Sequence, residues 1–123
     1  MNLASPLTLG SVSTLEISSP MDPSATYFCG FAASPSPASP VQGGGIIHLA
    51  DDFLLRHSLM QNNGLFFNNV GTLGPIGSAS IAIAVPNDPS LMNLTIYSAF
   101  VTVDPVAPGA VRSISATLPM TIQ

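Results

Sequence analysis

The chain has 123 residues, which suits one domain, and only 7% of them are charged, against roughly 25% in an ordinary soluble domain. Two arginines and a net charge of −4 cannot neutralise a run of phosphates, which argues against a nucleic-acid-binding protein. No apolar run approaches the roughly 20 residues that span a bilayer, so no membrane span is expected.

The N-terminal third predicts short strands. Residues 7–9 and 12–18 read as a strand pair around Gly10, and residues 1–10 as a candidate strand extension. The first ten residues lack the basic and apolar regions of a signal peptide, so an exported form is expected to be mature or excised. Residues 26–33 predict a third strand. It contains Cys29, the only cysteine, which we predict to be a buried core thiol.

The middle of the chain is less regular. Residues 34–45 are rich in Pro, Ser and Gly and predict an exposed loop. Strands are predicted over 45–49 and 65–73. Between them, residues 50–60 fit either a single helical turn capped by Asp51 or a short strand.

Period-two alternation is clearest in the C-terminal half. Strands are predicted over 78–85, over 95–103 (apolar on both faces, as in a central strand) and over 114–122. Pro119 lacks a ladder donor and predicts an edge or a bulge there, and residues 90–93 suggest a brief helical turn. Seven or eight strands separated by Pro- and Asp-rich turns predict a single all-β sandwich over 1–123, immunoglobulin-like or jelly-roll-like, with at most one or two short helical turns.

Little in the sequence suggests catalysis. His48, in an apolar strand, is predicted to be a hydrogen-bonded structural residue, and His57 to be exposed. No zinc pattern and no Gly-x-Ser-x-Gly nucleophile elbow occurs, so we expect neither an enzyme nor a cofactor.

Weak candidates remain for ligand binding. Loop carboxylates that could serve calcium are Asp51, Asp52, Asp88 and Asp104, although Asp before Pro is more simply typical of a turn. Phe66 and Phe67, flanked by Asn pairs, form the best aromatic and amide cluster for a glycan, or else a strand entering the core. Asn93 lies in an N-glycosylation acceptor pattern, which matters only in a suitable secretory host.

Several stretches together resemble a C-terminal domain of secreted bacterial surface proteins of the planctomycete type. These stretches are DDFLL (51–55), FNNVGTL (67–73), AIAVPN (82–87), LTIYSAFVTVDP (94–105) and RSIS (112–115). The resemblance covers most of the chain from residue 24 to residue 122. It implies an extracellular or cell-surface β-sandwich of no established activity, and it carries over no catalytic residue.

The sequence therefore predicts an extracellular structural module that associates with copies of itself, as a filament or surface-layer subunit. A carbohydrate-binding or adhesive accessory domain, with a glycan or other cell-surface component as partner, is the alternative. The low charge and the near-absence of charged residues on the edge-like strands favour self-association. Candidate assembly residues are the apolar ones near the two termini, which are Leu3, Leu7, Leu9, Met120 and Ile122.

Overall fold

The computed structural model describes residues 1–40, 45–60, 64–103 and 111–123. The described residues form eleven strands, one α-helix and one 3-10 turn. In chain order these are β1 (Asn2–Leu3), β2 (Val12–Ser18), β3 (Thr26–Ala32), β4 (Ser39–Pro40), β5 (Ile46–Ile47), α1 (Phe53–Ser58), β6 (Phe66–Phe67), β7 (Val70–Thr72), β8 (Ser78–Ala84), the 3-10 turn (Pro89–Leu91), β9 (Thr95–Val103), β10 (Val111–Ile114) and β11 (Leu118–Thr121).

Two antiparallel sheets make up the sandwich, as predicted. The first has the strand order β1-β2-β8-β6 and is centred on the seven-residue pairing of β2 with β8. The second has the order β10-β9-β3-β7, and β11 pairs with β9 beside β10. The main core lies between the sheets because alternate residues of each strand face inward, such as Leu15 and Ile17 from β2 and Tyr27 and Cys29 from β3. The fold is therefore an all-β sandwich.

One aromatic pair joins the two sheets at the centre of this core. The rings of Phe31, from β3, and Phe66, from β6, stack with centroids 3.9 Å apart and planes 10° apart. Phe66 is thus a core residue, in agreement with the alternative reading of its cluster as a strand that enters the core.

The second sheet is covered on its outer face as well. There α1 and the β4–β5 hairpin pack over a second apolar cluster that includes Ala32, Leu49, Ala99 and Val101. This double coverage explains why β9 is apolar on both faces, and its bounds agree with the prediction.

Differences in strand number come from breaks inside predicted strands. The predicted strand over 65–73 is β6 and β7, which belong to different sheets, and the chain turns between them at Asn68, whose φ is 63°. The strand predicted over 114–122 begins at the last residue of β10 and, after a break over 115–117, contains β11. Both of these pair with the same side of β9, so Pro119 lies at a sheet edge, one of the two placements predicted for it.

The N-terminal segment pairs differently from the prediction. Residues 7–9 form no strand with β2. Instead, Gln123 donates its backbone N–H to Leu7, and Leu9 donates to Gln123, over 2.8 and 3.1 Å. Strand β1 pairs with β2. Both termini are thereby attached to their own domain.

The segment over 50–60 is helical, and its cap is Asp52 rather than Asp51. The Asp52 carboxylate accepts from the Leu55 N–H at 2.9 Å, which satisfies a donor at the start of α1. The predicted loop over 34–45 contains β4, whose Ser39 hydroxyl donates to the Leu49 carbonyl, while residues 41–44 lie outside the described part of the chain. The brief turn predicted over 90–93 is present as Pro89–Leu91.

Candidate functional site

The predicted chemical residues do not form a common site in the structure. Asp51 pairs with Arg56 on the surface, Asp52 caps α1, and Asp88 accepts from the N–H and hydroxyl of Ser90. Asp104 lies outside the described residues. Within the described ranges, no group of three or more His, Cys, Asp or Glu side chains could hold a metal ion.

The prediction for His48 is wrong. His48 lies just beyond the end of β5 and is exposed, although its neighbours Ile47 and Leu49 are buried. His57 is half-buried and stacks against Phe53, with ring centroids 5.9 Å apart.

The described part of the chain contains no helix long and apolar enough to cross a membrane.

Cys29 is a buried core thiol, as predicted. It is fully buried in β3, and its sulfur lies 3.3 Å from the hydroxyl oxygen of Ser98. Burial raises the pKa of the thiol to about 12, because a thiolate would lose its hydration there.

We expect Cys29 to be unreactive in the folded protein, because the nucleophilic thiolate is both inaccessible and disfavoured. A disulfide reagent at about pH 8 should label no thiol in the native protein and one thiol per chain in denaturant. Rapid labelling of the native protein would contradict the buried placement.

The candidate assembly residues belong to the chain's own core. Leu7, Met120 and Ile122 are buried there, and Leu3 and Leu9 pack against it partly buried. Packing within the chain thus takes up Leu7, Met120 and Ile122 fully, and Leu3 and Leu9 in part.

A different surface stands out at the margin of the sandwich where β6 and β7 lie. Five apolar side chains are exposed around it, and we call them the apolar edge surface: Phe28, Leu59, Met60, Phe67 and Val70. Together they line one cleft of about 560 Å³, to which the described residues contribute no charged side chain. Phe28 and Leu59 also line a neighbouring cleft of about 700 Å³ beneath β4 and α1.

Strand β7 at this margin is the last strand of its sheet among the described residues, and no described strand pairs with its outer edge. Past the end of β7, α1 and its cap cover the same edge of β3. There the Phe31 N–H donates to the Ser58 hydroxyl, and the Ala33 N–H donates to the Asp52 carboxylate. The buried Asn69 amide, which donates to the carbonyls of Cys29 and Ser58, fixes the start of β7 against both elements. Strand β7 itself pairs with β3 alone among the described strands.

The hydrogen bonds between β3 and β7 alternate along the strands, which determines which backbone groups of β7 face away from β3. Cys29 N–H donates to the Asn69 carbonyl, and Leu73 N–H donates to the Ala25 carbonyl. Antiparallel bonding alternates, so Gly71 also faces β3, while the N–H and C=O groups of Val70 and Thr72 point away from it. An open edge beside exposed apolar side chains is a template for a further strand.

Sequence patterning indicated only one residue of the apolar edge surface in advance. Phe67 belonged to the predicted aromatic cluster and is 49% exposed. Phe28 and Val70 were hidden inside predicted strands, and their pairing in register could not be read from either strand alone. Comparisons with known protein families, with characterised proteins and with solved structures found no match to this chain.

Proposed function

We propose that the protein is an extracellular structural module that associates with copies of itself through the apolar edge surface. The observation that carries this proposal is that five exposed apolar side chains lie beside an uncharged strand edge that no described strand covers. Monomeric proteins rarely leave such a patch beside unpaired backbone, and covering it stabilises a complex.

The free energy of burying the exposed side chains supports an association that uses side chains as well as backbone hydrogen bonds. Burying a fully exposed Phe, Leu or Val side chain contributes about 1.5–3 kcal/mol, and the members of the apolar edge surface are 40–62% exposed. Several such contributions are needed to exceed the entropy lost on association. The extracellular location rests on the resemblance to secreted surface domains, and a filament or layer would require a second contact in addition to this one.

Self-association is tested by sedimentation of the complete chain between about 10 μM and about 1 mM. We expect the average mass to rise above the 12.6 kDa of one chain. Phe67→Ser should weaken the association by about tenfold, since it removes buried apolar area from the contact. Ile76→Ser is the matched control, because Ile76 is also exposed but does not line the cleft. A monomer throughout the range would overturn the proposal.

A carbohydrate-binding role is the second candidate, and one observation favours it. The cleft places the exposed rings of Phe28 and Phe67 beside Asn68, a combination that suits a sugar ring and its hydroxyls. The amide nitrogens nearby are already used, however: that of Asn68 donates to the Ser80 carbonyl, and that of Asn69 is buried. Saturable glycan-array binding that Phe67→Ser abolishes and Ile76→Ser retains would favour this role.

A further inference from the structure

The open edge of β7 is complementary to itself. An antiparallel copy centred on Gly71 would place Val70 opposite Thr72 of the second copy, and Thr72 opposite Val70 of the second copy. These are the residues whose N–H and C=O groups point outward, so every outward donor would meet an acceptor.

Gly71 suits the centre of such a pair. Opposed residues that exchange no hydrogen bonds approach to about 4.5 Å between Cα atoms, the closest side-chain approach in an antiparallel ladder. Two glycines at that position bring no side chains into the contact. Within its own chain, Gly71 lies over the Tyr27 hydroxyl, which would be only 3.1 Å from an added Cβ.

Charge also favours a second copy over a partner of opposite charge. Strands β3 and β7 carry no charged residue, and neither does the apolar edge surface, so identical copies meet there without repulsion. The opposite edge of the same sheet carries Arg112 in β10 and Pro119 in β11, both features that discourage strand addition. Only the β7 edge of this sheet is therefore both open and unprotected among the described strands.

We propose that two copies of the chain join their second sheets by antiparallel pairing of β7 with β7 about a twofold axis between the two Gly71 residues. This inference rests on the proposed self-association and specifies its contact. Phe28 and Val70, which pair in register on the outer face, then lie next to Thr72 and Thr26 of the second copy. The result is a continuous sheet across the pair.

The register is tested by cross-linking two single variants, Val70→Cys and Thr72→Cys. Opposed hydrogen-bonded residues lie about 5.5 Å apart between Cα atoms, within the range that a disulfide spans. Under mild oxidation an equimolar mixture should form a covalent dimer at least about tenfold faster than either variant alone, where the cysteines would be diagonal across the axis. The buried Cys29 thiol remains in each variant as a silent background.

A second pair of variants tests the backbone bonds. Thr72→Pro removes an outward N–H while leaving the donors that face β3, and it should weaken association by about tenfold or more. Thr72→Val keeps that N–H and a similar shape, and should retain association.

The outcomes separate this inference from the proposed function. If the unchanged chain associates but the mixture shows no preferential cross-link, and Thr72→Pro still associates, the β7 pairing is overturned while self-association stands. If the unchanged chain remains monomeric at every concentration, both are overturned.

Discussion

Asp22→Asn should lower the free energy of unfolding by about 3 kcal/mol, because it removes the charge of a buried carboxylate that three hydroxyl groups and an arginine bind. Asp22 is 3% exposed, and one of its carboxylate oxygens accepts from the hydroxyls of Ser19, Thr102 and Ser113 at 2.6, 3.2 and 2.6 Å. The other carboxylate oxygen lies 3.1 Å from Nε of Arg112. One side chain thus attaches the β2–β3 connection to β9 and β10. Chemical denaturation of both proteins measures the difference.

The same network gives this contribution a defined pH dependence. Hydrogen bonds from Ser113 and Ser19 are the main influences that hold the pKa of Asp22 below its ordinary value of 3.8. Because the folded pKa is the lower one, the stabilisation is present above the unfolded value and is lost as the pH falls through the folded pKa. Stability should therefore decline below about pH 4 in the native protein, and less steeply in Asp22→Asn.

Asp51→Asn is the matched control for this prediction. Asp51 also pairs with an arginine Nε, at 3.0 Å, but both side chains are largely exposed. Exposed pairs contribute little to stability, so the unfolding midpoint should not change measurably. Equal effects of the two substitutions would contradict the special role assigned to Asp22.

Gly77→Ala should destabilise the fold by about 3 kcal/mol or prevent folding, because the position combines an unfavourable backbone with a steric overlap. Gly77 has a φ of 81°, and an added Cβ would overlap the Ser19 carbonyl oxygen and lie 2.8 Å from its carbon. The overlap is with backbone that Gly77 itself binds, since the Ser19 N–H donates to the Gly77 carbonyl at 2.7 Å. Relief would thus require the β2–β3 connection to move.

Gly64→Ala separates the two causes. Gly64 has nearly the same φ, 80°, but none of the described atoms lies within 4 Å of its added Cβ. It should cost only the backbone strain of a left-handed residue, about 1–2 kcal/mol. Thermal unfolding of both variants should show a clearly larger loss for Gly77→Ala, and equal losses would contradict the overlap.

Much of the fold could be predicted because strand alternation is a local property. The predicted strand over 95–103 has the same bounds as β9, and its two apolar faces correctly indicate a central strand. Breaks within strands were harder to predict. The predicted strand over 65–73 crosses from one sheet to the other at Asn68, which has a left-handed backbone conformation. The alternation of apolar and polar residues does not reveal such a conformation.

The candidate site depends on contacts between segments that are far apart in the chain, and the pattern of residues within one segment does not predict such contacts. Asp22 precedes Pro23, a pair that is typical of a turn, yet its partners Thr102 and Ser113 come from strands far along the chain. Apolar residues near the termini suggested assembly, whereas the structure buries three of them in the core. The exposure of Val70 follows from the short length of β7 and its place in the sheet order.

The most direct test of the central claim, that the β7 edge pairs with a copy of itself, is residue-resolved amide hydrogen exchange at increasing protein concentration. The amides of Val70 and Thr72, which point away from β3, should exchange rapidly in dilute solution and become protected as the mass rises. The Gly71 amide faces β3 and should change little, which makes it the internal control. If Val70 and Thr72 continue to exchange rapidly while the protein associates, the contact lies elsewhere and the account of the β7 edge is contradicted.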